Sequence, residues 1–224
     1  MKQRLIQCLA FIAITVSLHA QPLELNKGDH VAIVGSGLAD RQQHHGWLEA
    51  LIHKAYPDLE LTVRNLGFAA DEVNVHPRSD EAPTTEQFLN MKPGTTTLAG
   101  GAADVTLPNG MRETKTGVQV TYHWGADFHA NVILAYWGFN ESFKGEAGLE
   151  GFKAALSAYL KKTLEADYGK GQPRVVLLSP IAHENLKDPT NFPDGAANNK
   201  NLALYTAAMA EVAKTLNVPF VDLF

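Results

Sequence analysis

The chain has 224 residues, of which 45% are hydrophobic and 19% are charged, and its formal net charge is -5. This composition is typical of one α/β domain, or at most two small ones, and it excludes a disordered chain, a collagen-like repeat and a polytopic membrane protein. Because acidic residues outnumber basic ones, we expect no nucleic-acid partner.

The amino terminus has the three-part pattern of a secretory signal peptide. Lys2 and Arg4 precede an apolar run from Leu5 to Leu18, and the small residue Ala20 follows. The run is shorter than the roughly 20 apolar residues that span a bilayer. We therefore predict cleavage after Ala20, a secreted or periplasmic protein, and no stable membrane association afterwards; an uncleaved anchor is the alternative.

The single cysteine, Cys8, lies inside this apolar run. It is expected to leave with the signal peptide, so that the mature chain holds no disulfide and no thiolate site. We interpret residues 1–20 as the signal peptide and residues 21–224 as one domain, which is long enough to be stabilised by its core alone.

Short apolar or alternating segments predict five β-strands, at residues 30–35, 59–66, 131–137, 174–179 and 218–224. Apolar residues at helical spacing predict helices at residues 46–56, 148–168 and 198–216. The polar stretch 36–45 is interpreted as a connection before the first helix. Alternating strands and helices predict a flavodoxin-like three-layer α/β/α sandwich with a five-stranded, mostly parallel sheet.

Residues from about 74 to 130 depart from this alternation. They contain Gly100-Gly101, the turn sequence Pro108-Asn109-Gly110 and an alternating run at 117–122. An Asn-Gly pair between alternating segments is typical of a β-hairpin. We interpret this stretch as a β-hairpin insertion into the domain and not as a second domain.

Four loops follow the predicted strands at one edge of the sheet, where ligands of such sheets bind. They contain Ser36, Gly67, Asn140 and His183, respectively. A glycine after a strand lets the backbone turn and present N–H groups, and an asparagine side chain adds another donor. Such donors can form an oxyanion hole, in which each is typically worth about 3 kcal/mol.

The residues 65–67 (NLG) and 138–141 (GFNE), in this order after their strands, resemble two conserved blocks of the SGNH (GDSL-type) hydrolase superfamily. In that family a serine after strand one is the nucleophile. A glycine after strand two and the Asn of a Gly-x-Asn-Asp block complete the oxyanion hole, and an Asp-x-x-His block supplies the base. The phrases RNLGF, GFNESF, SPIAHEN and VPFVDLF are also similar to SGNH-like domains of planctomycete-type bacteria, which often belong to large secreted proteins.

The resemblance implies a hydrolase that acts on a small-molecule or carbohydrate ester and needs no metal or organic cofactor. It assigns Ser36 as the nucleophile, with Gly67 and Asn140 in the oxyanion hole. Two features depart from the family. Alignment on the first block places Gly37 where the serine belongs, so Ser36 either acts from a shifted position or there is no nucleophile. The chain also reaches Phe224 without an Asp-x-x-His block, which we interpret as a missing C-terminal part.

His183, with Glu184 beside it, is the candidate for a replacement base; a loop histidine bonded to backbone is the alternative. Two rival functions also stay open. Gly35-Ser36-Gly37 is similar to the start of a dinucleotide-binding fingerprint, although Asp40 stands where the third glycine belongs. A non-catalytic ligand-binding or interaction module on the same fold is the other rival.

Several further polar residues are interpreted as structural. Asp40-Arg41 is predicted to be a helix cap or an ion pair. His44-His45 could hold a metal only poorly, because adjacent helical residues point apart. His123 and His129 either cover the mouth of the pocket or pack in a turn. The sequence specifies no oligomeric state.

Overall fold

The structure is a computed structural model that describes residues 22–75, 128–184 and 195–224, together with four short strands between residues 94 and 122. The predicted signal peptide, His123 and most of the predicted insertion lie outside the described residues. Within the described part, no helix is both long and apolar enough to cross a membrane.

In chain order the strands are β1 (His30–Gly35), β2 (Thr62–Asn65), β3 (Gly94–Thr97), β4 (Ala103–Thr106), β5 (Arg112–Lys115), β6 (Gln119–Tyr122), β7 (Val132–Tyr136), β8 (Arg174–Leu178) and β9 (Phe220–Val221). The helices are α1 (Gly37–His45), α2 (Trp47–Ala55), α3 (Leu149–Glu165) and α4 (Ala196–Leu216), with 3-10 turns at Pro57–Leu59, Glu141–Lys144 and Glu146–Gly148.

The central sheet has five parallel strands in the order β2-β1-β7-β8-β9. Its middle strand, β7, is buried at every position, whereas the edge strand β2 alternates between exposed and half-buried residues. This burial explains why β7 is a continuous apolar run in the sequence. The predicted five-stranded, flavodoxin-like α/β/α sandwich is confirmed.

Each face of the sheet packs against a pair of helices. On one face, Ala135 and Leu177 pack against α3 and α4 residues that include Leu156 and Met209. On the other face, Val31 and Leu134 pack against Ala39 of α1 and the half-buried side chains of α2. Both clusters hold side chains that are almost wholly excluded from water, so each contributes to folding through the hydrophobic effect.

The prediction that residues 36–45 form a polar connection was wrong, because residues 37–45 form helix α1. Ala39 is its one fully buried side chain, so the helix lacks the apolar stripe that would reveal it. Gly46, in the left-handed conformation, ends α1 and separates it from α2. His44-His45 therefore lies in the last turn of α1 and not at the start of the first helix.

The region of the predicted insertion contains two antiparallel strand pairs. β4 pairs with β5, and β3 pairs with β6. The turn sequence Pro108-Asn109-Gly110 lies between β4 and β5, outside the described residues. The boundaries of the insertion, at about residues 74 and 130, and its status as part of one domain stay predictions.

Candidate functional site

The turn after β1 places Ser36 at the carboxyl edge of the sheet. Gly35 has φ +127°, and a Cβ there would lie 2.0 Å from the Tyr136 carbonyl oxygen, so a side chain is excluded. The Ser36 N–H donates to that same oxygen at 3.1 Å. Ser36 is 2% exposed and its hydroxyl caps no amide of α1. The hydroxyl is thus held at the sheet edge without a hydrogen-bond partner among the described residues.

Ser36 lines a cavity of about 360 Å³ at this edge. Its lining includes Ser36, Gly37 and Arg41, and the rest is mainly apolar, from Leu38, Ala69, Tyr136, Trp137, Phe139, Pro180 and Ile181. Burial raises the pKa of the Tyr136 phenol above its ordinary value. Among the described residues, none that lines the cavity is a carboxylate or an imidazole, so these residues offer the Ser36 hydroxyl neither kind of proton acceptor.

Helix α1 begins at the cavity. Its first hydrogen bond runs from the Asp40 N–H to the Ser36 carbonyl oxygen at 3.0 Å. The preceding N–H groups, on Gly37 and Leu38, have no partner within the helix. They give the amino end of α1 a partial positive charge, which favours negative charge on a bound group.

Gly67 lies in the loop after β2, where it packs closely against helix α1. A Cβ on Gly67 would lie 2.6 Å from the Ala39 Cβ and 2.8 Å from its carbonyl carbon, so a side chain would collide with the helix. Asn65 spans the same junction: its Nδ2 donates to the Ala39 carbonyl oxygen at 2.7 Å, and its Oδ1 accepts from the Gly67 N–H at 2.8 Å. The Gly67 amide is therefore already hydrogen-bonded within the protein.

Asn140 binds the same loop from the other side. Its Nδ2 donates to the Ala69 carbonyl oxygen at 2.9 Å and to the Asp71 carbonyl oxygen at 3.0 Å. Both hydrogens of the carboxamide are thus used within the protein. A substrate oxyanion would have to displace one of these bonds to be stabilised by Asn140. Its catalytic role and that of Gly67 stay predictions.

Glu141, which stands in place of the last Asp of the family block, is the buried charge of this region. The residue is 4% exposed, and its two carboxylate oxygens accept from the Val73 N–H at 2.9 Å and the Gly138 N–H at 3.1 Å. Burial raises the pKa of the Glu141 carboxyl, and the backbone hydrogen bonds oppose that rise. Glu141 holds together the loops after β2 and β7; the sequence analysis assigned it no role.

His183 does not line the cavity. Its ring stacks on Phe139 with the centroids 5.3 Å apart and meets the edge of Phe143 at 6.4 Å. Its Nε2 lies 3.3 Å from the Asn198 Nδ2, and its backbone N–H donates to the Asn199 Oδ1 at 2.6 Å. Phe139 lines the cavity, so His183 would have to move past that ring to reach Ser36. Its role as a base stays a prediction.

The structure therefore brings the four predicted residues to one edge of the sheet but places only Ser36 on the cavity. Arg41, predicted to be structural, also lines the cavity; no sequence signal distinguished it because α1 was not foreseen. His129 packs in a turn, where its Nδ1 lies 2.9 Å from the Tyr168 carbonyl oxygen. Among the described residues, no three His, Cys, Asp or Glu side chains converge as metal ligands.

No protein-family model matches the chain, and no curated protein sequence matches it. Solved structures are similar to it. A catalytic mutant of Axe2, an acetylxylan esterase from Geobacillus stearothermophilus, is 13% identical with a TM-score of 0.53, over 89% of this chain and 78% of that one. Est24, a carbohydrate acetylesterase from Sinorhizobium meliloti, is 13% identical with a TM-score of 0.52, over 87% of this chain and 83% of that one.

The gut microbial diltiazem-metabolizing enzyme BT4096 is also similar, at 12% identity and a TM-score of 0.54. The match covers 92% of this chain but 39% of BT4096, so this chain spans well under half of that protein's length. At these identities the likeness concerns the fold alone. The chain therefore has the three-layer α/β fold of these esterases.

Proposed function

We propose that this protein hydrolyses a small-molecule or carbohydrate ester at the cavity beside Ser36. The observation that carries the proposal is the unpartnered Ser36 hydroxyl, which lines a cavity at the carboxyl edge of a sheet shared with esterases. Ser36 Oγ attacks the ester carbonyl carbon, and the serine proton is transferred to the alcohol as it leaves. Water then hydrolyses the acyl-enzyme, which releases the acid and restores the serine hydroxyl. The SGNH-type assignment, and its resemblance to planctomycete-type secreted proteins, form part of the proposal.

The amino end of α1 supports the transition state of this reaction. Gly37 and Leu38, whose N–H groups have no partner within the helix, line the same cavity as Ser36, and donors there would stabilise the negative charge that develops on the carbonyl oxygen. Fixed dipoles in an apolar cavity act more strongly than in water, since little solvent screens them. Gly67 and Asn140 then position the neighbouring loop, and either can add a donor if its internal bond opens.

The base of this reaction lies outside the described lining, which contains no carboxylate and no imidazole. His183 reaches Ser36 if its ring exchanges places with Phe139, on which it stacks. The lack of a base in the described lining also favours a second candidate function, a ligand-binding module without catalysis. In that case the cavity holds a small ligand and Ser36 acts as a hydrogen-bonding group.

Turnover of p-nitrophenyl acetate by the full chain separates the two functions. An esterase loses its activity to the uncatalysed background in Ser36→Ala and reacts with a fluorophosphonate at Ser36, as mass spectrometry would show. Ser157→Ala, a change on α3 away from the cavity, serves as the matched control and keeps its activity. Absence of both turnover and labelling in the wild-type protein would leave the binding module as the function.

We also propose that the protein is exported, on the pattern of residues 1–20. The test is to express the full chain in bacteria, separate periplasm, medium and cytoplasm, and sequence the amino terminus of the recovered protein. Export predicts a mature chain that begins at Gln21. A protein that stays in the cytoplasm with Met1 retained would contradict it.

A further inference from the structure

One of the residues that line the cavity, Arg41, is positively charged. It lies in the second turn of α1, is exposed, and lines the cavity together with Ser36. Among the described residues no carboxylate forms an ion pair with it. The neighbouring Asp40 instead accepts a hydrogen bond from the Gln43 Nε2 at 2.7 Å. The Arg41 guanidinium is therefore available to a ligand.

Three groups in this cavity favour a negatively charged ligand. The guanidinium of Arg41 carries a full positive charge, the first N–H groups of α1 carry partial ones, and the Ser36 hydroxyl is a free donor. In the part of the chain that the structure describes, no acidic residue belongs to the lining. The whole chain has a net charge of -5, so this local excess of positive charge is opposite to the overall charge of the protein.

We propose that Arg41 is a specificity-determining residue that binds a carboxylate of the substrate. The cavity then takes an ester whose acid or alcohol part carries a free carboxylate, such as a uronic acid that is acetylated on a hydroxyl group. The guanidinium offers paired N–H donors that match a carboxylate in a bidentate geometry. The apolar wall, which includes Tyr136 and Phe139, accommodates the rest of the molecule. The assignment of an ester substrate rests on the proposed ester hydrolysis, whereas the assignment of a carboxylate-binding site does not.

Binding of benzoate and of benzamide to the full chain tests the charge preference without requiring catalysis. Calorimetry is expected to show that benzoate binds about fivefold more tightly, a modest gain because Arg41 is partly hydrated. Arg41→Gln removes the preference, and Arg41→Lys keeps part of it. Arg64→Gln removes an equal charge from β2, outside the cavity lining, and serves as the control. The preference also shrinks as ionic strength rises.

Equal affinity for the two ligands, or a benzoate preference that survives Arg41→Gln, would overturn the inference. Circular dichroism of each variant checks its folding. Arg41→Lys provides a second reading in case the glutamine variant is impaired. Because Arg41 is exposed and bonded to nothing among the described residues, we expect both variants to fold as the wild type does.

Ester hydrolysis tests whether the preference for a carboxylate also applies to the substrate of the reaction. The ratio of kcat/KM for 4-acetoxybenzoate to that for phenyl acetate is expected to fall about fivefold in Arg41→Gln, mainly through KM. A ratio unchanged by Arg41→Gln, in a protein that hydrolyses both esters, would refute the carboxylate site and leave the hydrolase intact. Arg41-dependent benzoate binding without any turnover would refute the hydrolase and leave the carboxylate site intact.

Discussion

A buried carboxylate at the amino end of the central sheet and the cavity at its carboxyl end differ in whether their polar side chains have partners. At the amino end, the buried Asp29 carboxylate accepts from the Arg174 Nη2 at 2.6 Å, the Asn131 Nδ2 at 2.9 Å and the Asn26 N–H at 2.6 Å. At the carboxyl end, Ser36 and Arg41 line a cavity, and neither side chain has a hydrogen-bond or ion-pair partner among the described residues.

We infer from this difference that the amino end of the sheet contributes to stability and the carboxyl end to ligand binding. A buried carboxylate with three donors closes the amino end, where the backbones of β1, β2, β7 and β8 are also joined by hydrogen bonds. The carboxyl end leaves donors free for a ligand, at the edge where parallel sheets bind ligands in general. Substitutions at the amino end are therefore expected to change stability alone, whereas those at the cavity change binding.

The largest effect on stability is expected from Asp29→Ala. The change removes the carboxylate partner of the Arg174 guanidinium, which keeps its bond to the Glu24 carbonyl oxygen, and leaves polar groups of Asn131 and Asn26 without their acceptor. We expect a loss of about 3 kcal/mol in the free energy of unfolding. Urea unfolding followed by circular dichroism measures it, with the exposed Asp58→Ala as control. Benzoate binding to the folded protein should stay unchanged; a lower affinity would mean that the two ends are coupled.

A smaller loss is expected from Gly67→Ala, at the junction of the β2 loop with α1. The new Cβ would lie 2.6 Å from the Ala39 Cβ, and the helix backbone behind it has little room to move. Overpacking of this kind typically costs about 2 kcal/mol. The same unfolding measurement applies, with Gly151→Ala on α3, where a Cβ meets nothing within 4 Å, as the control. Equal stability of the two variants would show that the loop can shift away.

Glu141→Gln tests the carboxylate that joins the loops after β2 and β7. The amide keeps the volume but has one acceptor oxygen for two N–H donors, so one donor loses its bond. We expect a loss of about 1–2 kcal/mol near neutral pH. Glu150→Gln, whose side chain is 86% exposed, is the control. A Glu141→Gln variant as stable as that control would show that the carboxylate is dispensable for joining the loops.

The raised pKa of Glu141 also predicts the direction in which the free energy of unfolding changes with pH. Because burial raises the pKa of Glu141, the folded state binds this proton more tightly than the unfolded state does. Stability of the wild type should therefore fall as pH rises from the ordinary glutamate pKa to the raised folded value. Glu141→Gln lacks this loss, so the difference between the two proteins narrows over that interval. A gap that widens would contradict the raised pKa.

The smallest effect is expected from Lys144→Gln. Lys144 pairs with Glu72 at 2.5 Å, but the lysine side chain is 57% exposed, so water and salt screen the pair. We expect a change of at most about 0.5 kcal/mol in the free energy of unfolding. Comparison with Asp29→Ala then contrasts an exposed ion pair with a buried one. A loss as large as that of Asp29→Ala would mean that exposure is a poor guide to the strength of these pairs.

Local patterns in the sequence were sufficient to predict the sheet. The apolar run of β7 and the shorter apolar runs of β1 and β8 reflect burial of these strands on both faces. Because both faces are buried, apolar side chains are favoured at successive positions and not only at alternate ones. The same patterns placed Ser36, Gly67, Asn140 and His183 in loops at one edge, because parallel strands all end on the same side. What the sequence by itself determined was therefore the architecture and the edge at which a site would lie.

Only the tertiary structure decided which of these groups reach the cavity. The amide of Asn140 is used by carbonyls of Ala69 and Asp71, about 70 residues earlier in the chain, and His183 stacks on Phe139. Helix α1 escaped prediction because it buries a single side chain, and with it the position of Arg41 was missed. Hydrogen-bond partners and cavity linings depend on contacts between distant segments, and no local pattern of residues encodes such contacts.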